Sequence, residues 1–328
     1  MNEQFSKVKA NRKQVLKRLQ QAALDSDYEI RADTKLSQHR VRDRVSTALA
    51  YTGEKQLLTS FNECNVRQKC QLVWCESCRQ DVANQTLKRW LRHIDVEQNT
   101  NSDFLHITGI LGIANVDARE VQALIDDDAN NWKSIRRRIK DLGADDYKFI
   151  DVAYEFELLN ATYLRNSDEN DFKKKQIQQL WHRDKKLSQY TVFVHFHGIT
   201  NLTKHELDKV VGKRYWIDDE PILKMNQVNG LYVQSLYSRQ SLEKNLWKMS
   251  SYCFKSATRF KHSYRGNDIG KELMTAEELS SLIVLYREVQ GRQYRGLFRE
   301  AKNRDSRDDT DYDYFLSLID EDKHAKRY

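Results

Sequence analysis

Tyr190-Thr191-Val192-Phe193-Val194-His195-Phe196-His197-Gly198 reads as a β-strand whose two faces differ in chemistry. Successive strand side chains alternate, which sets His195 and His197 together on one side and Val192, Val194 and Phe196 on the side that faces a core. Two imidazoles presented by a rigid strand can grip one divalent cation, and a cation held that way can polarise a phosphate. The rest of the chain must then supply a third ligand and a nucleophile.

Upstream, Tyr147 to Leu159 alternates in the same way, with Val152, Tyr154, Phe156 and Leu158 on one face and Ala153, Glu155 and Glu157 on the other. Glu155 is the first candidate for the third ligand. Glu157 on the same face, and His106 in the short apolar strand Phe104 to Leu111, remain alternatives. Downstream, Leu231 to Tyr237 reads as another strand, followed by a helix from about Ser241 to Thr258. Leu242, Leu246, Met249 and Cys253 form its apolar stripe, while Lys248, Tyr252, Lys255 and Arg259 share another face.

Between these strands, Asp117-x-x-Glu120 signals a helix through Ile125, and a second helix is expected near Asn131 to Leu142, stopping at Gly143. The second carries Lys133, Arg136, Arg137, Arg138 and Lys140, a density of cations suited to phosphate contacts. Thr203-x-x-Glu206 opens a helix that ends at Gly212, and Thr275-x-x-Glu278 opens a last one running to about residue 303. Residues 160–188, lysine-rich around Lys173 to Lys175, form an excursion between strands.

Four of the five cysteines, Cys64, Cys70, Cys75 and Cys78, are clustered, and the last two form a Cys-x-x-Cys knuckle. Such a knuckle brings two thiolates to one ion from a tight turn, so a structural Zn²⁺ site is expected. The cluster lies between a basic helix expected over Gln4 to Ala23 and another over Val82 to His93. Over the 328 residues Lys and Arg outnumber Asp and Glu by 55 to 48, a net charge of +7 that fits a polyanionic partner. The longest apolar run, Phe104 to Ala114, is too short to span a bilayer, so a cytoplasmic protein without membrane contact is expected. A GxxxxGK[ST] phosphate loop is absent, which argues against ATP hydrolysis.

The order of these motifs resembles the HUH endonuclease superfamily, in particular the rolling-circle replication initiators of bacterial plasmids and related phages. Phe104 to Leu111 with Thr108 resembles the family's first motif, His195-Phe196-His197 its metal-binding second, and Tyr252-Cys253-Phe254-Lys255 its third, Tyr-x-x-Lys. Several such initiators carry a cysteine-rich segment ahead of the first motif, where Cys64 to Cys78 stands here. Each motif is common alone, and their order and spacing carry the likeness.

The resemblance implies an α+β fold: an antiparallel, ferredoxin- or RRM-like sheet flanked by helices, with an N-terminal helical zinc module and C-terminal helices. The corresponding segments are 1–98, 99–265 and 266–328. It implies Mg²⁺ or Mn²⁺ on His195, His197 and Glu155, with Tyr252 as nucleophile and Lys255 steadying the phosphate. Lys133, Arg136, Arg137, Arg138, Lys140, Lys248 and Arg259 would contact DNA. The implied activity is single-strand nicking and joining through a 5′-phosphotyrosine, on a single-stranded nick site within a double-stranded origin, with the host helicase and replication machinery as partners. A tyrosine that follows the histidine pair favours an initiator or an HUH transposase over a relaxase. A non-catalytic, zinc-containing DNA-binding regulator is the alternative from a different class.

Overall fold

The structure, a computed structural model, describes residues 41–65, 68–72, 74–91, 94–96, 98–143, 146–160, 177, 180, 188, 190–217, 220–221, 227–252, 274–290 and 298–303. The expected Gln4 to Ala23 helix, most of the lysine-rich excursion and the charged tail lie outside these residues. The chain is α+β. Helices α1 (residues 41–51), α2 (Lys55–Asn62) and α3 (Glu76–Trp90) precede β1 (Leu105–Asn115), α4 (Ala118–Lys140), β2 (Phe149–Asn160), β3 (Tyr190–Thr200) and α5 (Lys204–Val211). Then come the short strands β4 (Trp216–Ile217), β5 (Glu220–Pro221) and β6 (Gln227–Val228), followed by β7 (Leu231–Ser235), α6 (Leu242–Tyr252), α7 (Ala276–Gln290) and β8 (Phe298–Lys302).

Six strands form one antiparallel sheet in the order β6-β7-β1-β3-β2-β8. The histidine strand β3 is central, flanked by β1 and β2. Its alternation holds as the sequence predicts: Val192, Val194 and Phe196 point into a core shared with Val152, Tyr154 and Phe156 of β2 and with Val121, Ile125, Trp132 and Ile135 of α4. Gly109 of β1 lies opposite Phe196, where a Cβ would fall 2.2 Å from the phenylalanine ring. Only glycine leaves that ring its place.

Two expectations are corrected. The pair of helices expected over 117–142 is a single helix, α4, capped by the Asp117 side chain on the amides of Arg119 and Glu120. Between the two expected segments, Asp128 faces inward and accepts from Trp132 Nε1 at 2.9 Å, and the helix continues through it. The last helix ends by Gln290 rather than near 303, and Phe298–Lys302 pairs instead with β2 at the sheet edge. Segment 266–328 therefore contributes a strand as well as a helix, and its Leu279, Leu282 and Ile283 join the same core as the sheet. By contrast, α5 carries the expected capping box, with Thr203 and Glu206 bonding each other's backbone amides.

Candidate metal centre

Antiparallel register brings the candidate ligands together. Glu155 lies directly opposite His195 on β2, and Thr108 and Ile110 of β1 lie opposite His197 and His195. One carboxylate oxygen, Oε2 of Glu155, is 3.1 Å from Nε2 of His197 and 3.4 Å from Nε2 of His195. These three donors all fall within 4.8 Å of one another. Of the two alternatives for the third ligand, Glu157 comes within 3.6 Å of His195 Nε2, whereas His106 stacks its ring on His197 at 5.6 Å between centroids. Glu155 is the carboxylate that reaches both imidazoles.

The environment sets the protonation states. Burial alone would raise the Glu155 carboxyl, but the adjacent imidazoles of His195 and His197 outweigh it and hold the carboxyl below its ordinary range. Burial lowers the His197 imidazole to about 3, against the pull of Glu155. An ionised carboxylate beside a neutral imidazole is the donor set that a divalent cation requires. Thr108 Oγ1 lies 2.8 Å from His197 Nδ1, so the other ring nitrogen, Nε2, is the one turned towards Glu155. Neither ring nitrogen of His195 makes a hydrogen bond among the described residues, although both are buried. The residues present therefore fit a divalent cation.

Two apolar clusters bound this polar patch on the same sheet face. At one end Phe149 and Ile199 pack with Leu87 and Trp90 of α3 and with Leu242 and Leu246 of α6. At the other, Ile110, Leu159 and Phe193 pack with Ile177. Arg89 of α3 pairs with the buried Asp151 on that face, its Nε 3.1 Å from Oδ2. Asn245 of α6 donates to Asn101 Oδ1 at 2.8 Å and to the Tyr237 carbonyl at 2.9 Å, fixing the helix against the turn that leads into β1 and the segment that follows β7. Helix α6, described as far as Tyr252, thus packs on the same sheet face as the histidines, at its Phe149 and Ile199 end. The Tyr252 side chain, Lys255 and Arg259 lie outside the described residues.

The cysteines converge as the spacing predicts. Sγ of Cys64 is 3.6 Å from Cys78 and 3.5 Å from Cys75, and Cys70 is 3.6 Å from Cys78. A tetrahedral ion with Zn–S bonds of about 2.3 Å sets its sulfurs about 3.8 Å apart, close to these separations. Gln71 adopts a left-handed backbone, φ +59°, that turns its amide onto Cys78 Sγ at 3.2 Å. The Cys70 thiol is pushed up first by Cys75 and Cys78 and then by burial, so four thiolates require a cation among them. No disulfide joins these four.

The basic residues do not form one surface. Lys133, Arg136, Arg137 and Lys140 are exposed on α4, which packs on the face opposite the histidines, with Trp132 against Phe196. Lys248 is exposed on α6, over the histidine face. Arg136 also donates to the Glu300 carbonyl at 2.9 Å and Arg138 to the Lys209 carbonyl at 3.1 Å, tying α4 to β8 and α5. Sequence reasoning missed Asp128, two of whose donors, Tyr154 and Tyr215, lie outside α4, and Tyr286, whose partner Phe156 lies on β2. Among the described residues no helix is long and apolar enough to cross a membrane. Comparison with family models, with curated proteins and with solved structures finds no match for this chain.

Proposed function

We propose that this chain is a metal-dependent tyrosine DNA endonuclease of the HUH type, which nicks and rejoins single-stranded DNA to start rolling-circle replication. The observation that carries the reading is Glu155 Oε2 within 3.4 Å of both His195 Nε2 and His197 Nε2, on the sheet face against which the helix carrying Tyr252 packs. The topology agrees with it. Elements β1-α4-β2-β3-α5-β7, with β7-β1-β3-β2 adjacent in the sheet, follow the β-α-β-β-α-β plan of ferredoxin-like folds.

When bound by His195, His197 and Glu155, Mg²⁺ or Mn²⁺ supplies Lewis-acid polarisation of a phosphodiester. Tyr252 provides the nucleophile. Its phenol, with an ordinary pKa of about 10, gives up its proton as Oη bonds to phosphorus. The P–O3′ bond breaks, and the departing oxygen takes a proton to leave a free 3′-hydroxyl. The ester retained on Tyr252 makes the step reversible, which allows rejoining. Lys255, the last residue of the Tyr-x-x-Lys motif, offsets charge on the phosphate. The four cysteines hold Zn²⁺ as a structural ion.

The test uses full-length protein, Mn²⁺ and end-labelled single-stranded DNA tiled across the region flanking its own gene. A covalent protein–DNA adduct on a denaturing gel is expected, lost in Tyr252→Phe while DNA binding persists. An adduct that survives in Tyr252→Phe, or its absence from metal-loaded wild type on every tile, refutes the proposal. Strand transfer between two element ends, in place of a single nick, assigns the same chemistry to transposition.

A further inference from the structure

We propose that Tyr286 is a positioning residue for the metal-binding carboxylates, joining the four-cysteine loop to the centre of the sheet. The inference rests on the metal centre described above. Glu155 and Glu157 flank Phe156 on β2, and their side chains leave the strand on the opposite face from the Phe156 ring. Where β2 carries those carboxylates, its outer edge lies beyond the registered pairing with β8, which among the described residues ends at Ala153. The Tyr286 hydroxyl meets the strand edge there. It accepts from the Phe156 amide at 3.0 Å and donates to the Phe156 carbonyl at 3.1 Å. Its ring lies 4.8 Å from that of Phe156.

A strand whose amide and carbonyl are both satisfied at one residue is fixed in height and twist there. The neighbouring Cα–Cβ vectors, those of Glu155 and Glu157, are fixed with it. Tyr286 is held in turn from the cysteine loop. Trp74, immediately before Cys75, meets the Tyr286 ring edge-on at 5.3 Å, and the adjacent Arg287 donates to Gln71 Oε1 at 3.2 Å. The loop that would fold around Zn²⁺ thereby braces the tyrosine that braces the carboxylates, a second layer of support for a metal ligand.

Mn²⁺ affinity is the readout, measured by electron paramagnetic resonance on zinc-loaded full-length protein, so that DNA cleavage plays no part. Tyr286→Phe keeps the ring and removes both hydrogen bonds, and is expected to weaken Mn²⁺ binding about tenfold while zinc content stays at the wild-type level. Trp74→Phe keeps an aromatic edge but shortens it; a loss of about threefold is expected, and it decides the matter should Tyr286→Phe not fold. Wild-type Mn²⁺ affinity in the folded variants, with only a lowered melting temperature, overturns the positioning role. Wild-type protein that binds no Mn²⁺, or binds it equally in Glu155→Gln, overturns the metal centre itself and the inference with it.

Discussion

Asp128→Ala removes one carboxylate and should loosen the whole support behind the histidine pair. Phe196, the residue between His195 and His197, packs edge-on against Trp132 at 6.4 Å, Tyr154 at 6.3 Å and Tyr215 at 5.4 Å. Those three rings share one acceptor. Asp128 takes a hydrogen bond from Trp132 Nε1 at 2.9 Å, from the Tyr154 hydroxyl at 2.7 Å and from the Tyr215 hydroxyl at 3.0 Å. Truncation strands three buried donors, each at a cost of about 1–3 kcal/mol. Relief from burying an ionised carboxylate offsets part of this, for a net loss of about 3–5 kcal/mol, a large share of a typical domain's stability. Asp128→Asn keeps an acceptor and the volume, and should lose only about 1–2 kcal/mol. Burial raises the Asp128 pKa above 3.8, against its hydrogen bonds from Tyr154, Tyr215, Asn131 and Trp132. The fold thus favours the neutral acid, whose contribution is complete below the unfolded value and is lost as pH rises through the higher folded one. The stability of wild type relative to Asp128→Asn should therefore fall as pH is raised from about 4. Urea midpoints at constant m-value measure all three quantities. An Asp128→Ala protein within about 0.5 kcal/mol of wild type refutes the reasoning.

Thr108→Val should weaken Mn²⁺ binding about tenfold by removing the oxygen 2.8 Å from His197 Nδ1, and Thr108→Ser should restore it; isothermal titration checks both. Cys75→Ser should abolish binding of one Zn²⁺ per chain by atomic absorption and lower the melting temperature, because three thiolates leave the tetrahedral site open. Joint replacement of Lys133, Arg137 and Lys140 by Ala should flatten the salt dependence of duplex DNA affinity by about one unit of slope per residue that contacts phosphate, and leave Mn²⁺ affinity unchanged. An unaltered slope removes α4 from the DNA-binding surface.

The centre of the fold was legible because its signals are local. Period-two alternation in β2 and β3 fixes which side chains share a face, so the sequence alone singles out Glu155, His195 and His197 as candidates. Register supplied the choice among Glu155, Glu157 and His106, since Cα pairing of Glu155 with His195 depends on contacts between segments far apart in sequence. The same limit explains the errors. The interval between the two helices expected over 117–142 holds Asp128, whose donors come from α4 itself, from β2 and from Tyr215, and two of these three are distant in sequence. Residues 298–302 read as helix because an edge strand is recognised by the strand it meets, here the start of β2. Tyr286 carried no sequence signal at all, its partner Phe156 being 130 residues away.

Two imidazoles and two carboxylates at the middle of a sheet are a costly way to fill a core. Desolvating such groups costs several kcal/mol each, and apolar residues of similar volume usually pack there as well or better. The surrounding residues show that this chain fills space with apolar groups where it can: Ile199 and Phe149 lie on one side of the patch, and Ile110 and Phe193 on the other. Replacing the patch by valine and leucine would join the two clusters into one. The opposite face of the same strands follows that rule without exception among Val192, Val194 and Phe196. A divalent cation reverses the balance, because its charge offsets the carboxylates in a dry site where electrostatic interactions are strong, and its coordination satisfies the Nε2 and Oε atoms that face one another across 3.1 to 3.6 Å. The polar patch is thus better explained as a metal centre than as a packed part of the core, and the three rings packed on Phe196 brace the strand that carries its two histidines.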